Sequence, residues 1–332
     1  MARRKVSAWR RLRIAVIDRI ARTLVQSVAR LPLSVLHRLG AWVGWVFIHW
    51  PNRQRRNALI NLKLCLPDLD HAELIRLRNR NLIEFGKTYL EIGYLWLRPL
   101  PQVHDLVREV RGAEFLRRQP GKGLIVLSPH LGAWELAGLH LARQGPTAIF
   151  YKPQRYLDSL ILAARRRCGA QLAPITARGI RVLVQALERG DYVGVLPDQE
   201  PKEDKGAVFA PLFGIPAFTM LLVNRLARRT GAPVIFMFAE RLPGDAGFRV
   251  HCIPAPAGID SDDDVIAATA LNRGIEQCVA VCPEQYVWPY KRYRRRPPGL
   301  AGVYDGPLND RRLLALIERQ PSQRATPAIP GP

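Results

Sequence analysis

The stretch whose residue types most clearly suggest chemistry is Ser128 to Glu135, which reads Ser-Pro-His-Leu-Gly-Ala-Trp-Glu. An apolar run typical of a buried strand ends at Ser128, and His130 lies in the turn before a predicted helix whose first turn contains Glu135. Ligands of open α/β sheets bind at the carboxyl ends of the strands. A histidine there can take a proton on one ring nitrogen while a carboxylate holds the other N–H. The pattern predicts a general base at His130 that Glu135 orients. A turn histidine followed by a glutamate that complements the helix dipole is the structural alternative.

A second candidate group follows another predicted strand, in the segment Leu196-Pro197-Asp198-Gln199-Glu200. The carboxyl ends of parallel strands meet at one edge of a sheet, so we expect Asp198 and Gln199 to lie near His130. Asp198 is predicted to bind polar groups of an acceptor or to hold a basic side chain in place. The alternative is that Asp198 is simply a turn residue after a proline.

Apolar and basic segments offer further binding candidates. The loop from Phe209 to Pro216 is predicted either to line an acyl-chain groove, through Phe213 and Gly214, or to fold back on the core. The basic runs Arg165–Arg167 and Lys291–Arg296 are candidate contacts for phosphate or for an acidic protein, although many such runs are only solvated faces.

Two common classes of hydrolytic site find little support in the sequence. The zinc-protease motif HExxH is absent. The GxSxG signature of a hydrolase nucleophile is also absent, which leaves Ser128 beside His130 as a weak serine-hydrolase alternative. The five cysteines are odd in number and lack zinc-site spacing, which favours reduced thiols.

The elements that must position these residues alternate along the chain. After Pro99 and Pro101, short β-branched runs alternate with helical stretches, a pattern typical of an α/β fold with a mostly parallel central sheet flanked by helices. The predicted strands are Gly123–Ser128, Thr147–Tyr151, Gln171–Ile175, Tyr192–Leu196, Pro233–Ala239 and Phe248–Ile253. The predicted helices are Trp134–Arg143, Leu157–Cys168, Gly179–Arg189, Thr219–Thr230 and Asp264–Val281, with a short one near Arg311–Glu318.

The first fifty residues are predicted to be a helical membrane anchor. Residues 1–30 form one basic amphipathic pattern with Trp9 as an aromatic anchor, and the apolar window Leu31–Trp50 follows. Its uncharged part, Leu39–Trp50, is shorter than the ~20 residues of a bilayer crossing, so re-entrant, interfacial and marginally spanning helices stay open. The basic flank that begins at Arg53 predicts a cytoplasmic location for the bulk of the chain. An ordinary surface helix is the alternative for residues 1–30.

The remaining chain divides by pattern into three parts. We expect a helical segment at 51–105, an α/β domain at 106–300, and a C-terminal helix with a flexible tail at 301–332. Nothing in this division has the period of a solenoid repeat.

Charge narrows the choice of partner. The 332 residues carry 50 Lys and Arg against 28 Asp and Glu, a net charge of +22, and 48% are hydrophobic, which excludes a disordered chain. The positive excess is concentrated in residues 1–30, 51–63, 165–167 and 291–296. Because this is not a diffuse coat and no nucleic-acid recognition motif is present, an anionic membrane and an acidic protein are favoured over nucleic acid. A non-catalytic membrane scaffold is compatible with the composition.

Four ordered blocks resemble one enzyme family. The pattern Ser-x-His-x-Gly-x-Trp-Glu resembles the His-x4-Asp/Glu block of the lysophospholipid acyltransferase superfamily, and in its Glu form that of the late acyltransferases of lipid A biosynthesis. The segments Arg55–Asp68, Leu196–Thr219 and Gln285–Gly299 are similar to further blocks of that family. One departure is that the family's Tyr-Arg-Pro is here Tyr-Lys-Pro, so the arginine's role falls to Lys152 or Arg155. Lysine keeps the charge but lacks the bidentate fork.

The resemblance implies a glycerolipid acyltransferase-like fold and direct acyl transfer at the cytoplasmic side of the bacterial inner membrane. The donor would be an acyl carrier protein thioester and the acceptor a hydroxyl of a lipid A precursor, with a lysophospholipid or an aminolipid as the alternative. His130 and Glu135 would be catalytic, and backbone amides near Trp134 with Lys152 or Arg178 would stabilise the oxyanion. Neither a metal, another cofactor nor a covalent acyl-enzyme is expected. The substrate-binding candidates are Lys152, Arg155, Arg178, Asp198, Gln199, Phe213 and Gly214.

Overall fold

The computed structural model describes residues 8–154 and 156–319, so the candidate Arg155 lies outside the described residues. The helices are α1 (Ala8–Val28), α2 (Leu33–His49), α3 (Arg53–Cys65), α4 (His71–Leu97), α5 (Leu100–His104), α6 (Trp134–Gln144), α7 (Asp158–Arg166), α8 (Ala177–Glu188), α9 (Leu222–Thr230), α10 (Asp264–Val281) and α11 (Asp310–Arg319). The strands are β1 (Val107–Arg111), β2 (Leu124–Leu127), β3 (Thr147–Tyr151), β4 (Gln171–Pro174), β5 (Tyr192–Val195), β6 (Ala207–Leu212), β7 (Ile215–Met220), β8 (Val234–Arg241) and β9 (Phe248–Pro254).

A seven-stranded sheet with the order β1-β9-β8-β2-β5-β3-β4 forms the centre of the fold. The five strands from β8 to β4 are parallel, whereas β9 runs antiparallel to β8 and pairs in parallel with β1. All four residues of β2 are buried, as expected for a central strand covered on both faces. The predicted α/β class with a mostly parallel sheet is confirmed.

Side chains alternate along β2 between two hydrophobic cores. Ile125 and Leu127 pack into the core that contains α3, α8, α9 and α10, whereas Leu124 and Val126 pack into the core that contains α6 and strand β9. This alternation follows from the two-residue period of a strand. Ser128, the residue after β2, continues this alternation, so its side chain lies on the same side of the sheet as α6.

All six predicted strands are present, but the sequence patterns missed three others. Strand β1 was not predicted, and the expected loop at Phe209–Pro216 is instead part of the antiparallel hairpin β6–β7. The helix predicted to start at Thr219 begins at Leu222, because the residues before it complete β7. Two prolines that pair across the hairpin, Pro211 and Pro216, obscured the strand pattern.

Phe213 and Gly214 form the two-residue turn of this hairpin. Both have positive φ, 52° and 74°, as in the type I′ turns that match the twist of paired strands. Positive φ is unusual for a bulky residue. Here the Phe213 N–H donates to the Glu276 carboxylate and the Phe213 ring packs against Trp288, which together hold the turn.

The N-terminal helices α1 to α4 form a layer attached to the sheet. Helices α2 and α4 approach backbone to backbone, since a Cβ added to Gly86 would lie 2.1 Å from the Gly40 carbonyl oxygen. His37 of α2 contacts Glu91 of α4 at 2.8 Å, and Glu91 also accepts from Arg241 of β8 at 3.0 Å. Among residues 8–154 and 156–319, no helix combines the length and hydropathy needed to cross a bilayer.

We predict that Gly86→Ala destabilises the protein, because its methyl group would force α2 away from α4. The expected loss is about 1–3 kcal/mol in the free energy of unfolding, measured by denaturant unfolding followed by circular dichroism. Gly138→Ala in α6 is the matched control, since a Cβ there meets no atom within 4 Å. Equal stability of the two variants would contradict the close helix crossing.

Candidate functional site

The sequence-predicted polar residues gather at the carboxyl edge of the parallel strands. His130 follows β2, Asp198 and Gln199 follow β5, Lys152 follows β3, and Arg178 lies in the first turn of α8, just after β4. These four strands are neighbours in the sheet in the order β2-β5-β3-β4. The edge of the sheet therefore brings together residues that are up to 69 positions apart in the chain, as in the contact of His130 with Gln199.

The Asp198 carboxylate holds His130 by two hydrogen bonds. Its Oδ1 lies 2.7 Å from the ring Nδ1, and its Oδ2 accepts from the His130 backbone N–H at 2.8 Å. The Asp198 side chain is only 1% exposed. Burial opposes ionisation of Asp198, but attraction to His130 and the two hydrogen bonds outweigh it and lower the pKa of the carboxyl. Asp198 is thus a buried carboxylate aimed at one face of the loop after β2.

This pairing determines which nitrogen of His130 is available for chemistry. An ionised carboxylate only accepts, so the ring hydrogen of neutral His130 sits on Nδ1 and the lone pair sits on Nε2. Nε2 accepts a hydrogen bond from the Gln199 amide at 3.1 Å. The ring side chain is 12% exposed, so Nε2 lies at the open side of the site. A histidine in this state can accept a proton there while the carboxylate stabilises the resulting charge.

Glu135 does not make the hydrogen bond to His130 that the sequence spacing predicted. Its Oε1 accepts from Arg165 of α7 at 2.6 Å, and its Oε2 accepts from the Trp96 indole of α4 at 2.9 Å. The prediction failed because Asp198 already occupies Nδ1, while the Arg165 guanidinium, itself mostly buried, requires a counter-charge. Burial raises the pKa of Glu135, but attraction to Arg165 and the hydrogen bonds from Arg165 and Trp96 exceed that effect and lower the pKa overall.

An apolar pocket opens beside His130, between α6 and the sheet. Its cavity volume is about 50 Å³. Trp134 lines it, and the Trp134 and His130 rings are 5.0 Å apart between centroids, which places the base next to the pocket. The other residues that line it are Trp96, Val126, Ser128, Glu135, Gly138, Leu139, Leu141, Ile149, Ala164, Arg165, Cys168, Gly194, Val195, Leu196 and Met237.

The Gly132 backbone and the C-terminal segment support the His130 loop. Gly132 has φ +58°, and a Cβ on it would lie 2.1 Å from the Ala239 carbonyl oxygen, so only glycine fits. The Val287 N–H donates to the His130 carbonyl at 3.2 Å. Asn61 of α3 in turn donates to the carbonyls of Trp288 and Tyr290. The sequence blocks Arg55–Asp68 and Gln285–Gly299 thus both support the loop that carries His130.

Glu200, which follows Gln199 and had no predicted role, anchors the basic C-terminal run. Its buried carboxylate accepts from the Arg294 side chain at 2.9 Å and from the Arg295 backbone N–H at 2.9 Å. This carboxylate therefore connects the loop after β5 with the basic run Lys291–Arg296, which was predicted to contact phosphate or an acidic protein.

Of the other predicted binding residues, Lys152 and Arg178 lie at this edge of the sheet, whereas Phe213 and Gly214 lie in the β6–β7 hairpin. Lys152 is exposed, and partial burial together with the nearby Lys202 lowers its pKa. Arg178 is also exposed. Phe213 and Gly214 form the hairpin turn and do not line the pocket beside His130. Phe213 packs against the core, the second of the two predicted arrangements, and lines a smaller cavity with Trp288 and Tyr293. In the described part of the chain, no cluster of three or more His, Cys, Asp or Glu residues is arranged to hold a metal.

The chain is similar over most of its length to enzymes of one biosynthetic process. Residues 5–295 match the sequence profile of a family described as bacterial lipid A biosynthesis acyltransferase. The lipid A biosynthesis lauroyltransferase of Escherichia coli (strain K12) is 27% identical over 282 residues, 83% of this chain and 91% of that protein. The lipid A biosynthesis palmitoleoyltransferase of the same organism is 29% identical over 278 residues, 83% of this chain and 90% of that protein.

A further relative comes from another genus. A lipid A biosynthesis acyltransferase of Haemophilus influenzae (strain ATCC 51907 / DSM 11121 / KW20 / Rd) is 30% identical over 287 residues, 83% of this chain and 85% of that protein. Because the profile covers both the sheet edge that carries His130 and the helices that support it, the chain belongs to the bacterial lipid A biosynthesis acyltransferase family and is an acyltransferase.

Proposed function

We propose that this protein transfers a fatty acyl chain from an acyl carrier protein thioester to a hydroxyl of a lipid A precursor at a membrane surface. The observation that carries this proposal is the His130–Asp198 pair beside an apolar pocket. The base supplies proton transfer for attack by a hydroxyl, and the pocket supplies a place for a hydrocarbon chain.

His130 is proposed to act as general base through Nε2. The acceptor hydroxyl replaces the Gln199 amide at Nε2 and transfers its proton there, while Asp198 stabilises the imidazolium. The acceptor oxygen then attacks the thioester carbonyl, the C–S bond breaks, and the leaving thiolate takes the proton from His130. The product is an ester, and no covalent intermediate on the protein is required.

Glu135 is proposed to be a positioning residue rather than the partner of the base. Its ion pair with Arg165 joins the start of α6 to α7, and its hydrogen bond from Trp96 joins both to α4. All three side chains line the pocket. The pair therefore fixes the wall against which an acyl chain would lie.

Exposed cations around the edge are proposed to bind the anionic parts of the substrates. Lys152, with Lys202 beside it, and Arg178 are exposed at the carboxyl ends of β3 and β4. A phosphorylated acceptor and an acidic carrier protein both complement this charge.

Helices α1 and α2 are proposed to lie in the membrane interface on the cytoplasmic side. They expose large apolar side chains, with Ile20 of α1 63% and Trp42 of α2 62% exposed, and Trp50, directly after α2, is 63% exposed. Tryptophan at an apolar–polar boundary is typical of membrane-interface contacts. The Asp18 carboxylate of α1 accepts the Leu157 N–H at 2.6 Å, just beyond the carboxyl end of β3. Helix α1 thus lies beside the same edge as His130, so a lipid acceptor can reach the site from the membrane.

The central experiment is acyl transfer with purified protein, acyl carrier protein thioester and a phosphorylated lipid A precursor, followed by mass spectrometry of the lipid. We expect one ester-linked chain to be added. Parallel reactions contain a lysophospholipid or an aminolipid as acceptor, and transfer only to one of these would replace the proposed acceptor. Failure to acylate any of the three would contradict the proposed reaction.

Asp198→Asn is expected to lower kcat by about 10³–10⁴-fold, because the amide cannot stabilise the imidazolium charge or fix the tautomer of His130. The buried position should still accept the His130 backbone N–H, so a folded variant is expected. Asp262→Asn is the matched control, since that side chain is 88% exposed and pairs with Arg228 at the surface. Normal turnover of Asp198→Asn would remove the carboxylate from the mechanism.

Gly138→Leu is expected to shift donor preference toward shorter chains, because its side chain would enter open space in the pocket. Each methylene that no longer fits costs about 1–3 kcal/mol, so kcat/KM for the longest wild-type donor should fall at least ~10-fold. The measurement is kcat/KM for a series of acyl carrier protein donors. Ala163→Leu, on the exposed face of α7, is the control. An unchanged chain-length profile would show that the acyl chain lies elsewhere.

Trp42→Ser is expected to weaken binding to anionic lipid vesicles about tenfold, as estimated from the burial of one large apolar side chain. Vesicle sedimentation measures the bound fraction. Phe115→Ser is the control, because that residue is 38% exposed and follows β1, whose end lies at the opposite edge of the sheet from His130. Equal effects of the two changes would argue against α2 as the membrane-facing element.

A further inference from the structure

Ser128 carries a buried hydroxyl. In the described part of the chain, no group makes a hydrogen bond to its Oγ. The residue is held in place, because its backbone N–H donates to the Val195 carbonyl at 2.9 Å as a continuation of the β2–β5 pairing. A buried hydroxyl without a partner costs about 1–3 kcal/mol, so its presence calls for an explanation.

The position of Ser128 points to a ligand inside the pocket. Alternation along β2 places it on the α6 side of the sheet with Val126, and both residues line the apolar pocket. Most of the pocket lining is hydrocarbon, including Leu139, Leu141 and Met237. A single hydroxyl in such a lining is complementary to a ligand that is mostly apolar and has one polar atom. A thioester with its acyl chain in the pocket has that form, since its carbonyl oxygen is its acceptor.

We propose that Ser128 is a catalytic residue that donates a hydrogen bond from Oγ to the carbonyl oxygen of the acyl thioester and to the oxyanion formed from it. The proposal rests on the proposed function and adds to it a group that stabilises the developing charge. When the acceptor oxygen attacks, the carbonyl π electrons move onto this oxygen and the new C–O bond forms. Collapse returns those electrons and breaks the C–S bond. The Ser128 hydrogen remains on Oγ throughout.

The same geometry argues against Ser128 as a nucleophile. A nucleophilic serine hydrogen-bonds to its base. Here the two nitrogens of His130 contact Asp198 and Gln199, and Ser128 Oγ contacts neither. The serine-hydrolase alternative therefore lacks the contact that it requires, whereas a hydrogen-bond donor needs only the substrate oxygen.

The test is steady-state kinetics of Ser128→Ala and Ser128→Thr with acyl carrier protein thioester donors. Ser128→Ala is expected to lower kcat by about 10²–10³-fold, the usual effect of losing one oxyanion donor. KM for the donor should change by no more than about threefold, because the interaction strengthens in the transition state. Ser128→Thr keeps the hydroxyl and should recover most of the activity. Ser261→Ala removes a hydroxyl that caps a loop N–H outside the pocket and serves as the control.

The outcomes separate this proposal from the proposed function. Wild-type transfer that His130→Ala abolishes and Ser128→Ala leaves unchanged would overturn the role of Ser128 while keeping the acyltransferase reaction. Lack of wild-type transfer to every acceptor would overturn the proposed function itself. A loss in Ser128→Ala that appears only in KM would assign Ser128 to binding and contradict the oxyanion role. Intact-protein mass spectrometry after mixing with donor alone should show no added acyl mass, and an acyl adduct lost in Ser128→Ala would identify a nucleophile instead.

Discussion

The hydrogen bonds between the Asp198 carboxylate and His130 are the interaction on which the site depends. One carboxylate, almost fully buried, binds both the backbone and the ring of the same histidine, so the loop and the imidazole are fixed together. Such a carboxylate is tolerated in the interior because its partners offset the cost of removing it from water. The pair can form only because β2 and β5 are adjacent and parallel, which brings their carboxyl ends to one point. The sheet topology is in this sense a requirement of the chemistry.

Buried ion pairs elsewhere follow the same rule and connect layers rather than residues that are close in sequence. Glu135 and Arg165 join α6 to α7, and Arg241 and Glu91 join the sheet to α4. In each pair both charges are shielded from solvent, and the carboxylate has a further hydrogen-bond partner, Trp96 for Glu135 and His37 for Glu91. Such pairs add little net stability relative to an apolar contact, but removing one partner leaves an uncompensated charge. The Arg241–Glu91 pair therefore holds α4 against the sheet, and the Glu135–Arg165 pair, whose side chains line the pocket, holds α6 against α7.

The arrangement of the surfaces agrees with a reaction between a lipid and a carried acyl chain. The cations after β3 and β4 and the pocket beside His130 lie at the carboxyl edge of the sheet, and helix α1 contacts the segment after β3 through the hydrogen bond between Asp18 and Leu157. An acyl chain requires an apolar pocket, an anionic group requires nearby cations, and a reacting hydroxyl requires a base. The pocket, the cations after β3 and β4, and His130 lie at the same edge of the sheet. The central strand β2 contributes to two of them, since its Val126 lines the pocket and the turn after it carries the base.

Local sequence patterns were enough to predict the α/β class, six strands of the sheet and the edge at which His130, Asp198 and Gln199 meet. Those features follow from local composition, because a strand buried on both faces is a short apolar run and its carboxyl end is fixed by chain direction. Which side chains form hydrogen bonds and ion pairs with one another depends on the packing of the folded chain. The sequence spacing predicted that Glu135 would hydrogen-bond to His130. In the structure Asp198 makes the hydrogen bond to the His130 ring, and Glu135 forms an ion pair with Arg165 and accepts a hydrogen bond from Trp96. The pocket and the unpartnered Ser128 hydroxyl could not be predicted from the sequence either. Burial and electrostatic pairing depend on the distances between α4, α6, α7 and the sheet, and these distances are defined only in the folded chain.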